Sequence, residues 1–504
     1  MDIGRALSWT AERFPERVGI AGTQRLTYRQ WDARTNQIAR ALLDAGVRRG
    51  SRVALLLSNS EVLASTHLAC QKLGATSTPL NIRLAANELS YCLGDSTPTV
   101  VVTDDSTAAL AGEILPAAEG AVVWHAGDDA PAGALGYEPV VAQQPDGALD
   151  LAVGDEDASV MLYTSGTTGR PKGVPRTQRN EFSASVAHVM QTGTRSAEVT
   201  LGAMPMYHTM GLRSLLSTVV VGGTFVEIPR FTPARGIELI AQEQVTSLYL
   251  VPTAFWSLDD TGELATAGSK VSRLAYAGAA MTSTLATRLN ETVRPEVFVN
   301  HYGSSEVYTF SIEERAGEKP GSAGRPGMFS RLRLASVDDG ESSVAPGLTG
   351  EILASLASDE AFAGYWHRPD ADEKSLRGGW YHTGDLGVID EEGDLWVVGR
   401  VDDMIVTGGE NVHPVEVEDV LTRSADVAEC AVVGLPDEKW GQAVTAFVVF
   451  RDRSDDDAAI GRLEQWLRND SGISDYKRPK RIVAIDEVPK NPVGKILRRK
   501  LTDG

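Results

Sequence analysis

Short apolar and β-branched runs alternate with amphipathic helical stretches along much of the chain. The run "RVALLL" at residues 52–57 is followed by "SEVLASTHLACQKLG", which has apolar residues at helical spacing, and then by "TVVVTD". The runs "FVEIP", "TSLYLVP" and "RLAYAG" each end in the proline or glycine that marks the exit from a buried strand. This strand–helix–strand order predicts an α/β fold with mostly parallel sheets.

The pattern changes after about residue 325, where "RLRLASVDD", "GEILAS" and "GVIDEEGDLWVVGR" alternate apolar and polar residues. That alternation is typical of half-exposed antiparallel hairpins. A helix beginning near Pro414, the strand "AECAVVGLP" and the helix "AIGRLEQWLRN" then predict a small C-terminal α/β unit. Residues 105–155 are rich in Ala, Gly and Asp, and we expect a variable surface region with one short helix there.

Length and charge limit the class of protein. A chain of 504 residues is too long for one compact core, so we expect two or more domains. The net charge of -20 argues against a general binder of nucleic acid or membrane surfaces, because phosphate groups would be repelled over most of the surface. The three cysteines are far apart and suit a reducing compartment. Without a signal-peptide pattern or a membrane-length apolar run, we expect a cytoplasmic enzyme.

The segment "YTSGTTGRPKGV" at residues 163–174 brings four Ser/Thr hydroxyls and three glycines close to Lys172. It is a phosphate-binding loop, a flexible linker or an ordinary turn. The Walker pattern fails, because Lys172 lies between Pro171 and Gly173. Backbone N–H groups, hydroxyls and a lysine nevertheless suit phosphate oxygens. The preceding apolar run "SVMLY" favours a ligand-binding loop at a strand end, although composition alone leaves the three alternatives open.

Six ordered segments resemble the motifs of the adenylate-forming superfamily, which includes acyl-CoA synthetases, aryl-CoA ligases, luciferases and peptide-synthetase adenylation domains. They are "YTSGTTGRPKG", "AYAGAAM", "HYGSSE", "GWYHTGDLG", "GRVDDMIVTGGENVHPVEVE" and "PKNPVGKILRRKL". Within the superfamily, "MPMYHTMG", "GRVDDMI", "GGEN" and "KRPKR" resemble the 4-chlorobenzoate:CoA ligases. The resemblance implies an AMP-binding and acyl-substrate domain at residues 1–401 and a small mobile C-terminal lid domain at residues 402–504.

The implied reaction has two steps and uses ATP, Mg²⁺ and CoA. A carboxylate attacks the α-phosphate of ATP to give an acyl-adenylate and pyrophosphate, and a thiol then displaces AMP. Because an anion approaches a polyanion, catalysis must depend on charge neutralisation and positioning. The resemblance assigns the metal and a catalytic role to Glu306, whose carboxylate suits a hard cation. It assigns phosphate binding to Thr164, Ser165, Thr167, Thr168, Lys172 and Ser305.

The resemblance also implies a nucleoside site. Tyr302 is expected to offer its ring to the adenine, and Gly278 and Ala279 lie where the backbone approaches the base. Asp385 is expected to accept both ribose hydroxyls, which requires an ionised carboxylate, and Arg400 is the second ribose contact. Two plainer interpretations stay open at this point, because Gly278 is also what a strand terminator looks like and the Asp of "TGD" is also a common turn residue.

The C-terminal segment carries the remaining implied roles. Residues 477–500 contain nine Lys/Arg and two acidic residues, a local charge of +7 in an acidic chain, which indicates an anionic ligand. Lys495 is expected to be the catalytic lysine that bridges carboxylate and α-phosphate oxygens, and Asp402 is the hinge about which the lid turns. CoA is assigned to Gly408, Gly409, Trp440 and Lys477. A packing role for Trp440 stays open.

The acyl-substrate pocket implied by the resemblance involves His208, Tyr249, Ala280, Gly303 and Tyr308. This set is mostly apolar and aromatic and contains no lysine or arginine for a second carboxylate. It predicts a monocarboxylic, ring-containing or bulky hydrophobic acid. His208 is interpreted as a gate between the two steps, with a structural histidine as the plainer alternative. The small residues "SASVA" after the lysine loop predict a pocket larger than one benzene ring.

The predicted function is therefore an ATP-dependent acyl- or aryl-CoA ligase acting on a small carboxylic acid and CoA. One alternative changes the acceptor to a carrier-protein thiol or limits the enzyme to thioesterification. A second alternative is a non-enzymatic nucleotide-binding protein, which is disfavoured because the four positions expected to be lost in an inactive relative, Lys172, Glu306, Asp385 and Lys495, are all present. We expect no nucleic-acid or membrane partner and a monomer or homodimer.

Overall fold

The computed structural model describes residues 2–149, 151–165, 170–337, 339–407, 410–437, 439–471, 473–490 and 496–502. The side chains of Ser165, Asp402 and Asn411 lie outside the description. No helix in the described ranges has the length and apolar character needed to cross a membrane.

The first sheet has seven strands and carries the lysine loop. Its strand order is β7-β6-β5-β3-β4-β8-β9, and all neighbours run parallel except β8 and β9, which form a hairpin. The strands up to this point are β1 (Val18–Ala21), β2 (Leu26–Thr27), β3 (Arg52–Leu56), β4 (Thr76–Pro79), β5 (Val100–Asp104), β6 (Val122–Ala126), β7 (Leu135–Gly136), β8 (Ala158–Ser165) and β9 (Pro171–Thr177).

The second sheet starts with parallel strands and continues as an antiparallel sheet. Its order is β17-β18-β20-β21-β16-β15-β14-β13-β12-β10-β11-β1-β2, with β19 paired to β20. The parallel pairs end at β14, which pairs antiparallel with β15. Its further strands are β10 (Val199–Gly202), β11 (Thr224–Glu227), β12 (Ser247–Leu250), β13 (Arg273–Tyr276), β14 (Val297–Tyr302), β15 (Ser311–Glu313), β16 (Ser322–Pro326), β17 (Leu332–Ala335), β18 (Gly350–Ser355), β19 (Leu376–Arg377), β20 (Trp380–Ile389) and β21 (Leu395–Arg400).

The C-terminal region has its own five-stranded sheet and its own apolar core. The strands are β22 (Ile405–Thr407), β23 (Glu410–Val412), β24 (Val427–Asp437), β25 (Gly441–Phe450) and β26 (Arg481–Ala484). Only β25 and β26 pair in parallel. The predicted C-terminal α/β unit is confirmed as a structural unit, whereas the exact boundary between residues 401 and 402 stays a prediction.

The helices cover the faces of the sheets. They are α1 (Ile3–Arg13), α2 (Tyr28–Asp44), α3 (Glu61–Leu73), α4 (Ala86–Ser96), α5 (Ala108–Ile114), α6 (Tyr137–Ala142), α7 (Gln178–Gln191), α8 (Thr209–Val221), α9 (Pro233–Gln242), α10 (Pro252–Asp259), α11 (Leu264–Ala267), α12 (Ser283–Val293), α13 (Pro369–Ser375), α14 (Pro414–Leu421), α15 (Asp456–Asn469) and α16 (Arg499–Thr502), with 3₁₀ turns at Leu115–Ala117 and Val401–Asp403.

One helical layer lies between the first two sheets and fixes their relative position. The main apolar core joins residues of β3, β5 and β8 to residues of α1, α2, α3 and α8 and to Phe225 of β11. Helix α3 is buried on nearly every side, which explains why its sequence lacks a polar face. Ser60 caps its first turn, and Gly74 ends it in the left-handed conformation at φ 62°. Both sheets therefore present their loops to a common cleft from fixed directions.

The structure confirms the α/β prediction and corrects one part of it. Residues 105–155 contain two short helices as well as β6 and β7, which extend the first sheet in parallel. Trp124 and His125 of β6 are buried, and His125 is hydrogen-bonded to Thr103 at 3.0 Å. The expectation of a surface region with one short helix was wrong, because the single apolar run "AVVWHA" is too short to reveal a strand without its neighbour β5.

Candidate active site

The lysine loop connects two strands of one antiparallel hairpin. Thr164, near the end of β8, lies opposite Lys172 in β9. The Thr164 hydroxyl is buried and has no hydrogen-bond partner in the part of the chain that the structure describes. Thr167 and Thr168 lie outside the described residues, as does the side chain of Ser165. The strands on either side of the loop are paired from Ala158–Thr177 to Ser165–Pro171.

Tyr365 joins Lys172 to Glu306. The Lys172 Nζ atom lies 4.1 Å from the centroid of the Tyr365 ring, and the Tyr365 hydroxyl donates a hydrogen bond to Glu306 Oε1 at 2.7 Å. Burial lowers the pKa of Lys172, and the nearby Glu306 carboxylate opposes that shift. A partly desolvated cation held beside a ring rather than a carboxylate attracts an incoming anion strongly.

Residues 303–306 form a tight turn directly after β14. A Cβ atom on Gly303 would lie 1.8 Å from the Tyr308 carbonyl oxygen, so glycine is required there by the backbone itself. The Ser304 hydroxyl accepts hydrogen bonds from the Glu306 and Val307 amides, both at 3.2 Å. The close packing of this turn explains why residue 303 is a glycine, and this explanation does not involve the acyl substrate.

Ser305 contacts the first residue of α8, the helix for which His208 is the N-cap. The Ser305 hydroxyl accepts a hydrogen bond from Thr209 at 3.1 Å, and the Ser305 carbonyl accepts one from Arg176 at 3.0 Å. His208 caps α8 through its backbone, and its Nε2 atom is buried without a partner among the described residues. Burial lowers the pKa of His208 to about 4, so the ring is neutral at pH 7. A buried ring nitrogen without a protein partner is usually satisfied by a ligand or water, which favours a ligand contact for His208.

Asp385 lies between Tyr302 and Arg400. The Tyr302 hydroxyl donates to Asp385 Oδ2 at 2.5 Å, and Arg400 forms an ion pair with Oδ1. Asp385 and Arg400 are cross-strand partners of β20 and β21, which explains their proximity. Gly384 has a φ of 71°, and a Cβ atom there would lie 2.8 Å from Arg400 Nη2. The Asp of the Thr-Gly-Asp segment is therefore held in an ion pair with Arg400 and is not only a turn residue.

The predicted adenine segment follows β13. Gly278 has a φ of 83°, and a Cβ atom there would be 3.4 Å from Val251 and 3.7 Å from Met210. Ala279 and Ala280 are exposed, so this segment offers backbone to the cleft instead of packing into the core. The positive φ supports the interpretation of Gly278 as a strand terminator. A residue that ends a strand can also lie beside the adenine, so this interpretation is compatible with the predicted adenine contact.

Two predicted acyl residues belong to a buried polar cluster. Tyr249 and Tyr308 have their hydroxyl oxygens 3.3 Å apart, and both contact His301. The Tyr308 hydroxyl also lies 3.0 Å from His188 Nδ1. The buried rings carry hydroxyl and imidazole groups that bond to one another across α7, β12 and the segment from β14 to Tyr308, and the expectation of a mostly apolar acyl pocket stays a prediction.

Behind this cluster lies a buried ionic network. Arg213 and Arg176 both pair with Glu181, at 2.9 Å and 2.5 Å. Burial raises the pKa of Glu181, but the two guanidinium groups outweigh it and hold the value at about 2. Arg213 also donates to the Ser185 hydroxyl at 2.6 Å and lies 4.5 Å above the Tyr308 ring. The room left by the small residues after the lysine loop is thus partly used by Arg213, which shares the Glu181 carboxylate with Arg176.

The predicted CoA residues of the C-terminal unit lie on different surfaces. Trp440 is 36 % exposed in the turn between β24 and β25, with the Nζ atoms of Lys439 and Lys480 at 4.7 Å and 5.3 Å from its ring. Lys477 instead pairs with Glu416. A cavity of about 300 Å³ lies between this unit and the second sheet, lined by Val337, Thr349, Leu386, Val388, Val398, Met404, His413, Glu416 and Lys477. An exposed Trp440 flanked by cations does not support the packing interpretation.

Several predicted residues lie outside the described part of the chain. They are Lys495, Gly408 and Gly409, and the side chain of the predicted hinge residue Asp402 is also excluded. Their assignments stay predictions.

The arrangement fits a magnesium ion held mainly by phosphate. In the described ranges, no three His, Cys, Asp or Glu side chains come together as a metal site. Glu306 can still serve as a ligand, because Mg²⁺ is commonly bound by one or two carboxylates together with substrate phosphates and water.

The sequence reasoning missed Tyr365, His188, Arg176, Arg213 and Glu181. Arg213 had a usable signal, because a single arginine in the otherwise apolar helix "TMGLRSLLSTVVV" requires a buried partner. Tyr365 had none, since its partners Lys172 and Glu306 are both distant in sequence.

Comparison with known proteins places these observations in context. Residues 7–366 match the family model described as AMP-binding enzyme, and residues 416–495 match that of the AMP-binding enzyme C-terminal domain. The chain is 37 % identical to a feruloyl-CoA synthase of an Amycolatopsis species over 95 % of its length and 93 % of the relative. It is 34 % identical to a 4-chlorobenzoate–CoA ligase of an Arthrobacter species over 99 % of its length and 94 % of that protein. The crystal structure of the anthranilate CoA ligase AuaEII in complex with anthranoyl-AMP has a TM-score of 0.91 at 27 % identity, covering 99 % of this chain and 96 % of that one.

Proposed function

The chain belongs to the AMP-binding enzyme family, and from this premise we propose that it is an AMP-forming acyl- or aryl-CoA ligase. It activates a hydrophobic, ring-containing carboxylic acid with ATP and Mg²⁺ through an acyl-adenylate, and then transfers the acyl group to CoA. The relatives named for ferulate and 4-chlorobenzoate, and the neighbour solved with anthranoyl-AMP, support an aromatic acid.

One observation carries the proposal: a single short segment, residues 301–306, links the two halves of a nucleotide site. At one end Tyr302 contacts the Asp385–Arg400 pair. At the other end Glu306 contacts Tyr365, which lies under Lys172. A carboxylate for ribose hydroxyls and a cation for phosphates are thus attached to one rigid turn, as a bound nucleotide requires.

Adenylation brings the acid's carboxylate against the α-phosphate, so the main task of the protein is to neutralise and position charge. We assign the β- and γ-phosphates to Lys172 and the Thr164 hydroxyl, and the α-phosphate to Ser305. Glu306, oriented by the Tyr365 hydroxyl, would hold Mg²⁺, which supplies further positive charge to the phosphates when bound. Lys495 is proposed to reach the reacting oxygens from the C-terminal unit.

The nucleoside is assigned to Asp385, Arg400 and Tyr302, with the backbone of Gly278 and Ala279 beside the base. Asp385 uses one acceptor position for Tyr302 and another for Arg400. A carboxylate has about four such positions, so two remain for the ribose hydroxyls.

The thiol step requires the lysine segment to withdraw and the CoA thiol to enter. We propose that the C-terminal unit turns about Asp402, that Gly408 and Gly409 line the thiol path, and that Trp440 and Lys477 bind CoA. The exposed Trp440 ring with Lys439 and Lys480 beside it supports a nucleotide contact. His208, neutral and unpartnered, is the proposed gate between the steps.

We further propose that the enzyme works in the cytoplasm as a monomer or homodimer. Cell fractionation and size-exclusion chromatography with light scattering would check these two points.

The decisive experiment measures pyrophosphate release and thioester formation separately over a panel of aromatic and aliphatic acids. Acid-dependent pyrophosphate release, followed by thioester only when CoA is added, is the expected result. Thioester formed solely from supplied adenylate would instead favour the thioesterification-only alternative. Loading of a phosphopantetheinyl carrier protein but not of CoA would favour the carrier-protein acceptor. Absence of all three activities would refute an enzymatic function.

A matched pair of variants guards this experiment against non-specific effects. Lys172→Ala is expected to lower pyrophosphate release by at least about 100-fold, in line with the loss of one preorganised charge contact. Lys270→Ala removes an exposed lysine far along the chain and is expected to leave the rate unchanged. Equal rates for the two variants would remove Lys172 from the phosphate site.

A further inference from the structure

The buried cluster of Tyr249, His301, Tyr308 and His188 has a defined order of hydrogen bonds. Its contacts are His301 Nε2 to the Tyr308 carbonyl oxygen at 3.3 Å, Tyr249 Oη to His301 Nδ1 at 3.3 Å, Tyr249 Oη to Tyr308 Oη at 3.3 Å, and Tyr308 Oη to His188 Nδ1 at 3.0 Å. All four side chains are at most 5 % exposed. The cluster includes two predicted acyl-pocket residues, so its polarity bears on the acid.

Both imidazoles in the cluster are neutral. Burial lowers the pKa of His301 to about 3 and holds the pKa of His188 well below its ordinary value. A neutral imidazole has one N–H donor and one acceptor nitrogen, so fixing the hydrogen on one nitrogen fixes the other.

The direction of each hydrogen bond follows from the carbonyl at one end. A carbonyl oxygen only accepts, so His301 Nε2 carries the hydrogen and His301 Nδ1 accepts from the Tyr249 hydroxyl. The Tyr249 oxygen then accepts from the Tyr308 hydroxyl, which leaves the Tyr308 oxygen to accept from His188 Nδ1–H. Every contact receives one hydrogen in this arrangement, and His188 Nε2 is left as a bare acceptor.

Further polar atoms close to His188 also have no partner in the described part of the chain. Gln191 follows His188 by three residues on α7, so the two lie on neighbouring positions of one helix face. The Gln191 Oε1 atom accepts the Met328 amide at 2.7 Å, which identifies Nε2 as the amide donor, and this donor is buried without a partner. The Thr309 hydroxyl, adjacent in sequence to Tyr308, is also buried without one. Polar groups left unpaired in this way are usually satisfied by a ligand or water.

The network behind the cluster contains two guanidinium groups and two buried carboxyl groups. Arg213 lies over the Tyr308 ring, but it and Arg176 pair with Glu181. The Glu360 carboxyl group, fully buried, accepts the Thr309 amide at 2.9 Å; burial raises its pKa, and Arg176 and Arg213 oppose that shift. At the cluster itself, a carboxylate on the acid would meet the bare acceptor nitrogen of His188.

We propose that the activated acid carries a ring hydroxyl, which donates to His188 Nε2 and accepts from the Gln191 amide. This inference rests on the proposed ligase function and adds the substrate class to it. A hydroxyl is both a donor and an acceptor, so it satisfies both groups, whereas a carboxylate or an ether only accepts. His188 is thereby a specificity-determining residue that the sequence motifs do not contain.

The test compares kcat/KM for matched benzoate and cinnamate series that carry hydroxyl, fluoro, methyl, methoxy or carboxyl groups at the 3- or 4-position. At one ring position we expect the hydroxy acid to exceed its fluoro and methyl counterparts by at least about tenfold, because a site built to bind a hydroxyl rejects analogues that lack it. Equal rates for hydroxy and fluoro acids would overturn the inference while leaving the ligase function intact. A preference for the carboxyl-substituted acid would also overturn it and would assign recognition to Arg213. No pyrophosphate release with any acid would refute the ligase function itself.

A variant remote from the hydroxyl supplies an independent readout. Tyr249→Phe removes the hydroxyl oxygen that accepts the hydrogen of Tyr308. The Tyr308 hydroxyl can then donate to His188 Nδ1, so the position of the hydrogen on the His188 ring is no longer fixed. We expect the preference for hydroxy over methoxy acids to shrink to less than about threefold when kcat/KM for both acids is measured with this same variant. In the wild type, ¹⁵N chemical shifts of His188 are expected to show an unprotonated Nε2. A protonated His188 Nε2, or an unchanged preference for hydroxy acids in a folded Tyr249→Phe enzyme, would refute the assigned order of hydrogen bonds.

Discussion

Replacing Tyr365 by phenylalanine isolates one hydrogen bond of the proposed magnesium site. Tyr365 is 6 % exposed, its hydroxyl donates to Glu306 Oε1 at 2.7 Å, and burial raises its pKa, so it stays protonated at every working pH. Phenylalanine keeps the ring that lies 4.1 Å from Lys172 Nζ and removes only the hydroxyl. The variant therefore separates the orientation of Glu306 from the environment of Lys172.

The expected size of the effect follows from the charge of the acceptor. A hydrogen bond to an ionised group contributes about 1.5–3 kcal/mol, which corresponds to roughly 10- to 150-fold in a rate or affinity. Partners that orient a metal ligand have a similar influence, about 10- to 100-fold in metal affinity. We expect pyrophosphate release by Tyr365→Phe to fall about 10- to 100-fold at low Mg²⁺ and to recover in part at high Mg²⁺.

The assay is a titration of Mg²⁺ at saturating ATP and acid, with pyrophosphate release as the signal. Tyr137→Phe is the matched control, because Tyr137 is also a buried tyrosine and its hydroxyl bonds to Thr66 at 2.7 Å, far along the chain from the cleft residues. A Tyr365→Phe enzyme with an unchanged Mg²⁺ titration would show that Tyr365 does not position Glu306 as a metal ligand.

Three further predictions concern the ribose pair, the lid and the response to acid. Asp385→Asn is expected to raise the KM for ATP by about 10-fold or more, because an amide cannot accept from both Arg400 and Tyr302 as a carboxylate does; an unchanged KM would contradict the ribose assignment. Lys495→Ala is expected to lose adenylation far more than thioester formation from supplied adenylate, as two separate half-reaction assays would show; equal losses would contradict domain alternation. His67 is fully buried with both ring nitrogens unpartnered among the described residues, and burial lowers its pKa to about 4. Because the unfolded state binds this proton from about pH 6.5 and the folded state only near 4, stability falls as the pH drops through that window, by about 3 kcal/mol at pH 4. Chemical unfolding at pH 7 and pH 4 should show that the free energy of unfolding decreases less in His67→Phe than in the wild type, by that amount. An equal decrease in both proteins would mean that other groups cause the acid sensitivity.

Much of the fold could be predicted from local pattern. Strands such as β12 and β13 and helices such as α14 and α15 appear where the apolar periodicity places them, because side-chain burial on one face is encoded within a few residues. The strands β6 and β7 could not be predicted in this way. They are short, and what makes them strands is the hydrogen bonding to β5, which no local pattern contains.

The candidate site likewise has features that the sequence predicts and features that only the tertiary structure sets. The ordered motifs identified Lys172, Tyr302, Glu306, Asp385 and Arg400 as positions of interest, and the structure connects them through contacts in one cleft. The motifs contained no information about how these side chains are held. Tyr365 orients Glu306 from about sixty positions further along the chain, and its role depends on β9 and the turn after β14 being packed together.

The acyl pocket shows the limit most clearly. The residue types predicted a mostly apolar lining for the acyl pocket. They also predict that aromatic rings are buried at these positions. Whether a buried tyrosine or histidine acts as an apolar wall or as a hydrogen-bonding group depends on which atoms face each other. His188, Tyr249 and the pair His301 and Tyr308 come from three separate stretches of the chain.

By itself, the sequence determined the α/β class, the order of the nucleotide motifs and the glycines that a positive φ or a close backbone approach requires. These properties depend on residues near one another in the chain, whose sterics and periodicity are local. The tertiary structure alone decided the partner of each charge and the direction of each buried hydrogen bond. Directional interactions among desolvated groups depend on distances of a few tenths of an ångström between remote residues, and only the packed chain sets those distances.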